Sequence, residues 1–82
     1  MFSWKLNAAI LATNDIRFTD LFKDGCYMHC WVQEFNSGRL KWEGSSSIGG
    51  VNRKVQRFRT KQEAQDWVIA QLVNWRLDDA TR

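Results

Sequence analysis

The sequence predicts an α+β fold: a small antiparallel sheet of three to five strands packed against one main C-terminal helix, about 60–75. Three observations carry this. Thr60 is followed three residues later by Glu63, the pattern of a capping box, in which the threonine hydroxyl takes the Glu63 N–H and the glutamate reaches back to the Thr60 N–H. Behind it, Ala64, Trp67, Val68, Leu72 and Trp75 recur at helical spacing and form one broad apolar face. Nearly everything upstream reads as strand, so this helix is the cover available to the sheet.

At the N-terminus, Phe2, Trp4, Leu6, Ala8, Ile10 and Ala12 alternate with a more polar set, a period of two that predicts a first strand. The competing reading is a helix over Ala8–Ala12, whose residues are good helix formers. Asn14-Asp15 signals a turn, after which Ile16 and Phe18 can pair back on the first strand. Thr19 is expected to cap a short helical turn, Asp20–Lys23, that ends at Asp24-Gly25.

Cys26–Phe35 is the clearest strand. A two-residue loop at Ser37-Gly38 would return the chain with Phe35 opposite Leu40, Glu34 opposite Lys41 and Gln33 opposite Trp42. One sheet face then carries Tyr27, His29, Trp31, Phe35, Leu40 and Trp42. The other carries Met28, Cys30 and Val32, and becomes charged toward Glu34, Arg39, Lys41 and Glu43. Trp67 and Trp75 need apolar partners, so the aromatic face is expected under the helix; left open, it would be a stacking platform. An exposed Met28–Cys30–Val32 face would instead be a homodimer contact. Gly44–Gly50, rich in glycine and serine, reads as a flexible loop, and Val51–Arg59 as the last strand. After Trp75 the tail is expected to fray, because Asp78 and Asp79 sit at the wrong end of the helix dipole.

Eighty-two residues allow a single domain, 1–82, with one modest core. Five tryptophans and five phenylalanines give that core much area per residue. No apolar run approaches the roughly 20 residues that span a bilayer, and the first residues, MFSWKLNAAILA, have a single lysine and too short a hydrophobic core for a signal peptide, so no membrane partner is expected. Cys26 and Cys30, four positions apart in a strand, would sit roughly 13 Å from one another, too far for a disulfide. Free thiols imply a reducing, cytoplasmic setting.

The formal net charge is +3, and its distribution matters more than its size: Arg53, Lys54, Arg57, Arg59 and Lys61 lie within nine residues that hold no acid. Cations neutralise phosphates and aromatic faces stack on unpaired bases, so a basic strand near aromatics points to nucleic acid. The structural alternative is a strand edge kept basic to discourage edge-to-edge pairing. Arg39 and Lys41, at the hairpin tip, are expected near the same surface. The Ser/Gly loop lacks the ending of a P-loop and is not expected to hold a phosphate by itself. Cys26, His29 and Cys30 point to alternate sides of a strand and have no second Cys/His group, so neither a metal site nor a Cys–His nucleophile is expected. No paired carboxylates suggest acid–base chemistry. No cofactor, metal or catalytic residue is predicted.

The segment RFRTKQEAQDWV, through Phe58, Thr60, Lys61, Glu63 and Ala64, resembles the strand-to-capped-helix closure of double-stranded-RNA-binding domains and of the hybrid-binding domain of some ribonucleases H. That resemblance implies a nucleic-acid surface near the helix start; the first helix of the former and the basic-aromatic signature of the latter are missing here. The architecture as a whole resembles small phage-encoded accessory proteins, including anti-CRISPR proteins, which implies binding and blocking a host protein or nucleoprotein complex without catalysis. The expected function is therefore a non-enzymatic module that docks nucleic acid or a nucleoprotein complex through its basic strand. The alternative is a protein-binding inhibitor of a host defence complex, or a small assembly subunit.

Overall fold

The computed structural model describes residues 1–14, 17–35, 38–48 and 52–80, with the side chains of 13, 14, 48, 52 and 75–80 outside that description. Five strands, β1 (Phe2–Leu6), β2 (Arg17–Lys23), β3 (Cys26–Glu34), β4 (Trp42–Ile48) and β5 (Asn52–Phe58), form one antiparallel sheet in sequence order. A short helix, α1 (Ala8–Asn14), connects β1 to β2, and the long α2 (Lys61–Ala80) lies across β3, β4 and β5. The α+β expectation is met: a five-stranded sheet carries one C-terminal helix on one face.

The competing helix at the N-terminus is the one that forms. Asn7 ends β1 and caps α1: its side-chain oxygen accepts the Ile10 N–H at 3.1 Å and its carbonyl accepts the Leu11 N–H at 3.2 Å. The strand predicted through Ala12 thus stops at Leu6. The helical turn predicted at Asp20–Lys23 is instead part of β2. Asp24-Gly25 serves a tight hairpin, with φ of 52° and 84° and Lys23 paired to Cys26, the two positive φ values that a type I′ turn requires. The turn at Asp15 and the strand position of Ile16 lie outside the described residues.

The β3–β4 pairing is slipped by one residue from the expected register: Glu34 faces Trp42 and Gln33 faces Glu43, and the Phe35 N–H reaches the Lys41 carbonyl at 2.6 Å. A one-residue slip turns every side chain of a strand to its other face. Trp42 therefore joins the helix side, beside Phe58, and Glu43 moves to the opposite side, beside Arg57. Ser37, expected in the turn, is outside the described residues.

The larger correction concerns which face is covered. The fully buried cluster is Leu21, Cys30, Val32, Ala64, Val68 and Leu72, with Met28, Trp42, Phe58 and Trp67 packed around it. The Met28–Cys30–Val32 face is the core, so it offers no dimer contact, and Tyr27, His29, Trp31 and Phe35 lie on the far side. Ala64, Val68 and Leu72, spaced by four, aim the buried stripe of α2 at β3 and β4, each such side chain contributing about 1.5–3 kcal/mol if fully apolar and large.

What lets α2 approach is the stretch read as a flexible loop. Gly44–Ile48 is in fact strand, and its small residues form the bed of the helix. A Cβ on Gly44 would stand 2.9 Å from a ring carbon of Trp67, 3.0 Å from Val68 and 3.2 Å from the Ala64 carbonyl oxygen. Ser46 is fully buried beside Cys30, with oxygen and sulfur 3.6 Å apart. Gly49, Gly50 and Val51, the remainder of the predicted loop and the start of the predicted last strand, are outside the described residues.

At the start of α2 the capping box takes a variant form. The Thr60 hydroxyl oxygen accepts the Glu63 N–H at 3.2 Å and donates to the Glu63 carboxylate at 3.0 Å, in place of a carboxylate bond back to the Thr60 N–H. Replacing Thr60 by alanine is expected to cost about 1 kcal/mol, the usual loss for a removed N-cap, read as a shift in the urea midpoint at unchanged slope. The helix continues past Trp75 to Ala80, where fraying was expected. Among the described residues no helix is long and apolar enough to cross a membrane.

Candidate nucleic-acid interface

The face of the sheet turned away from α2 is built by strand alternation. Lys5 on β1, Phe18, Asp20 and Phe22 on β2, Tyr27 and Trp31 on β3, Glu43 and Ser45 on β4, and Arg53, Val55 and Arg57 on β5 share this side. Their ring contacts tie it together. Phe18 meets Trp31 with centroids 5.9 Å apart, and Phe22 meets Tyr27 at 5.6 Å. Tyr27 meets His29 at 4.8 Å. None of these rings belongs to the core under the helix. Tyr27 is 40% exposed and Val55 58%.

A bulge shapes the middle of the face. Asp20 pairs with Trp31 and Phe22 with Tyr27, so Leu21 alone stands opposite Met28, His29 and Cys30. The surplus in β3 is even, which preserves the alternation, and the backbone absorbs it at His29 with a φ of 57°. Histidine is among the residues that tolerate this region, at a cost of about 1–2 kcal/mol. The distortion brings the exposed His29 ring against Tyr27 and turns its carbonyl toward Arg53.

Two arginines stand over this aromatic floor. The Arg53 guanidinium lies 4.1 Å from the centre of the Trp31 ring, donates to the Ser45 hydroxyl at 2.7 Å and to the His29 carbonyl at 3.1 Å. Arg57 lies 3.8 Å from the Phe35 ring centre and 3.7 Å from the Glu43 carboxylate, and donates to the Leu40 carbonyl at 3.5 Å. Lys5 sits 4.9 Å over Phe22 at the other end of the sheet. Each is a cation held over a ring, an arrangement worth about 0.5–1 kcal/mol at an exposed site. Among the described residues, two of the five guanidinium N–H groups of Arg53 are used.

The predicted basic cluster is divided by the same alternation. Arg53 and Arg57 belong to the open face. Lys54, paired with Ser46, falls on the helix side of the sheet edge. Arg59 and Lys61 are exposed beyond the end of β5, and Lys61 borders a cleft of about 340 Å³ on the helix side, lined also by Trp4, Leu6, Leu11, Arg17 and Trp42. Arg39 and Lys41 are exposed on either side of Leu40, whose carbonyl Arg57 reaches, so the hairpin tip and the basic strand do meet. Lys54, Arg59, Lys61, Arg39 and Lys41 have no ion-pair partner among the described residues. β5 is an edge strand, so its charges also discourage edge pairing. That role does not call for guanidinium groups laid over rings two strands inward.

Six open-face residues were absent from the sequence-derived candidates: Lys5, Phe18, Asp20, Phe22, Ser45 and Val55. The signal for Phe18, Asp20 and Phe22 is present as alternation against Thr19 and Leu21, once the stretch is read as a strand. Asp20 accepts a bond from the Asn7 amide at 3.0 Å, and its carboxylate shares the open face with that of Glu43. Partial burial first, and the Asp20 charge second, hold the Tyr27 phenol above its ordinary pKa. Cys30 is buried on the helix side while His29 and Cys26 are exposed, and among the described residues no group of three His, Cys, Asp or Glu is placed to hold a metal ion. Compared with protein-family models, with curated proteins and with solved structures, the chain matches none.

Proposed function

We propose that the protein is a non-enzymatic binding module that docks nucleic acid, free or within a nucleoprotein complex, on the open face of its sheet and along the adjoining basic edge. One observation carries this reading: Arg53 and Arg57 are held over Trp31 and Phe35 on the side that α2 leaves uncovered. Cations neutralise phosphates, rings stack on bases, and the two are interleaved here within one surface. Arg39, Lys41 and Arg59 border it as a diffuse positive rim, and Lys54 and Lys61 continue the positive charge around the edge onto the helix side.

Phosphate contact makes the logarithm of the binding constant fall linearly with log salt. Fluorescence anisotropy with labelled RNA and DNA across a salt series is expected to show binding that weakens steeply between about 50 and 200 mM salt. Absence of any salt-sensitive binding to either polymer would remove the proposal. A second reading, a protein-binding inhibitor of a host defence complex, has its own support, because tryptophan, tyrosine and arginine are the residues that dominate protein interfaces. It predicts a stoichiometric complex with a purified protein partner that survives nuclease treatment.

A further inference from the structure

Taking the nucleic-acid reading as given, we infer that the open face takes unpaired nucleotides, so that the ligand is a single strand whose bases stack on Tyr27 and on the Arg53 guanidinium laid over Trp31, while Arg57 and the remaining N–H groups of Arg53 hold its phosphates. The floor of this face is aromatic: Phe18–Trp31 and Phe22–Tyr27–His29 form two ring groups that run across β2 and β3. A duplex hides the faces of its bases and presents phosphates, and for such a ligand rings on a sheet do nothing. Its cations are few, and Arg57 already has a partner in Glu43. A face that gripped phosphates alone would gain little from Lys5, Arg53 and Arg57 with Asp20 set among them. Asp20 fits unpaired bases better, since a carboxylate accepts from an exocyclic amino group and repels a phosphate.

Arg53 also fits this assignment in detail. It is fixed at the Ser45 hydroxyl, the His29 carbonyl and the Trp31 ring, so a strand that binds has little side-chain freedom left to remove there. The positive φ at His29 is what supplies one of those anchors, and such bulges re-aim side chains where a sheet meets its ligand. Bases stacked beside Arg53 would place their phosphates along β5, where Arg57 follows on the same face.

The test is anisotropy at fixed salt with a strand of about 12 nucleotides, as RNA and as DNA, and with each as a duplex. Single strands are expected to bind at least about tenfold more tightly than the duplexes. Tyr27→Ala should weaken single-strand binding about tenfold and leave the salt slope unchanged; Trp31→Ala, which also frees Arg53, should weaken it at least as much, and Trp31→Phe should restore most of that loss. Arg57→Gln should lower the salt slope by about 0.7. Tyr27 is already well exposed, so its variant tests stacking without depending on the fold, which thermal melting verifies for both. Duplex binding equal to or tighter than single-strand binding would overturn the inference. So would alanine variants that bind single strands normally while Arg57→Gln does not, and both results leave the broader nucleic-acid function standing. Loss of salt-sensitive binding to every polymer would remove that function and this inference together.

Discussion

Valine in place of Gly44 is expected to destabilise the protein by about 3 kcal/mol or more, and alanine by about 1–3 kcal/mol. The position faces the one helix that closes the core. An added Cβ would meet the Trp67 ring at 2.9 Å, a Val68 methyl at 3.0 Å and the Ala64 carbonyl oxygen at 3.2 Å. The first two belong to side chains that can give a little. The third is backbone, so relief requires α2 itself to lift from β4, and with it Val68 and Leu72 from the cluster they share with Leu21 and Val32. Valine adds two further methyl groups to the same contact. Against a total stability of about 5–15 kcal/mol, typical of small domains, such a loss is large. Urea unfolding reads it as a fall in midpoint with little change in slope. A Gly44→Ala protein as stable as the parent would mean that the helix does not lie where it is placed.

The largest effect on binding is expected from reversing both arginines of the open face. Arg53→Glu combined with Arg57→Glu should weaken nucleic-acid binding by about 100-fold at low salt and lower the magnitude of the salt slope by roughly 1.4. Both changes remove a phosphate partner, uncover a ring and introduce a repelling charge. The fold should persist, because Arg57 is about half exposed and its 3.7 Å contact with Glu43 is a surface pair of small worth. Reversing Arg39 and Lys41 instead should cost only a few-fold, since those side chains border the face without stacking on it. Unchanged affinity in the Arg53/Arg57 variant would move the site elsewhere on the molecule.

Sequence reading reached the elements whose cause is local. The capping threonine and the spacing of Ala64, Val68 and Leu72 announce α2, and the Cys26–Glu34 strand announces itself through its apolar run. What it missed was decided by tertiary contact. Gly44 is a poor strand former, yet it lies in β4, followed by Ser46 on the same side, because the helix needs small residues beneath it. At the N-terminus a single side chain, Asn7, tips an ambiguous apolar stretch from strand into helix. The β3–β4 register rests on the packing of Trp42 beside Phe58 and Gly44 beneath α2, neither of which a turn rule can see. Of the site, the basic run was legible as composition, but strand alternation assigns Arg53 and Arg57 to one face and Lys54 to the other. The aromatic set on β3 was legible too. Its side was misassigned because Trp67 was expected to need aromatic partners from that face, and Phe58, at 5.8 Å, satisfies it instead.

The central claim is that α2 roofs one face of the sheet and leaves the other, aromatic and basic, for a nucleic-acid strand. Amide NMR shifts recorded while a single-stranded oligonucleotide is titrated test it most directly. The account predicts that perturbed signals cluster at Phe18, Phe22, Tyr27, His29, Trp31, Arg53 and Arg57, with Ala64, Val68 and Leu72 undisturbed. Perturbations confined to α2 and the helix-side cleft, or none at all, would contradict it.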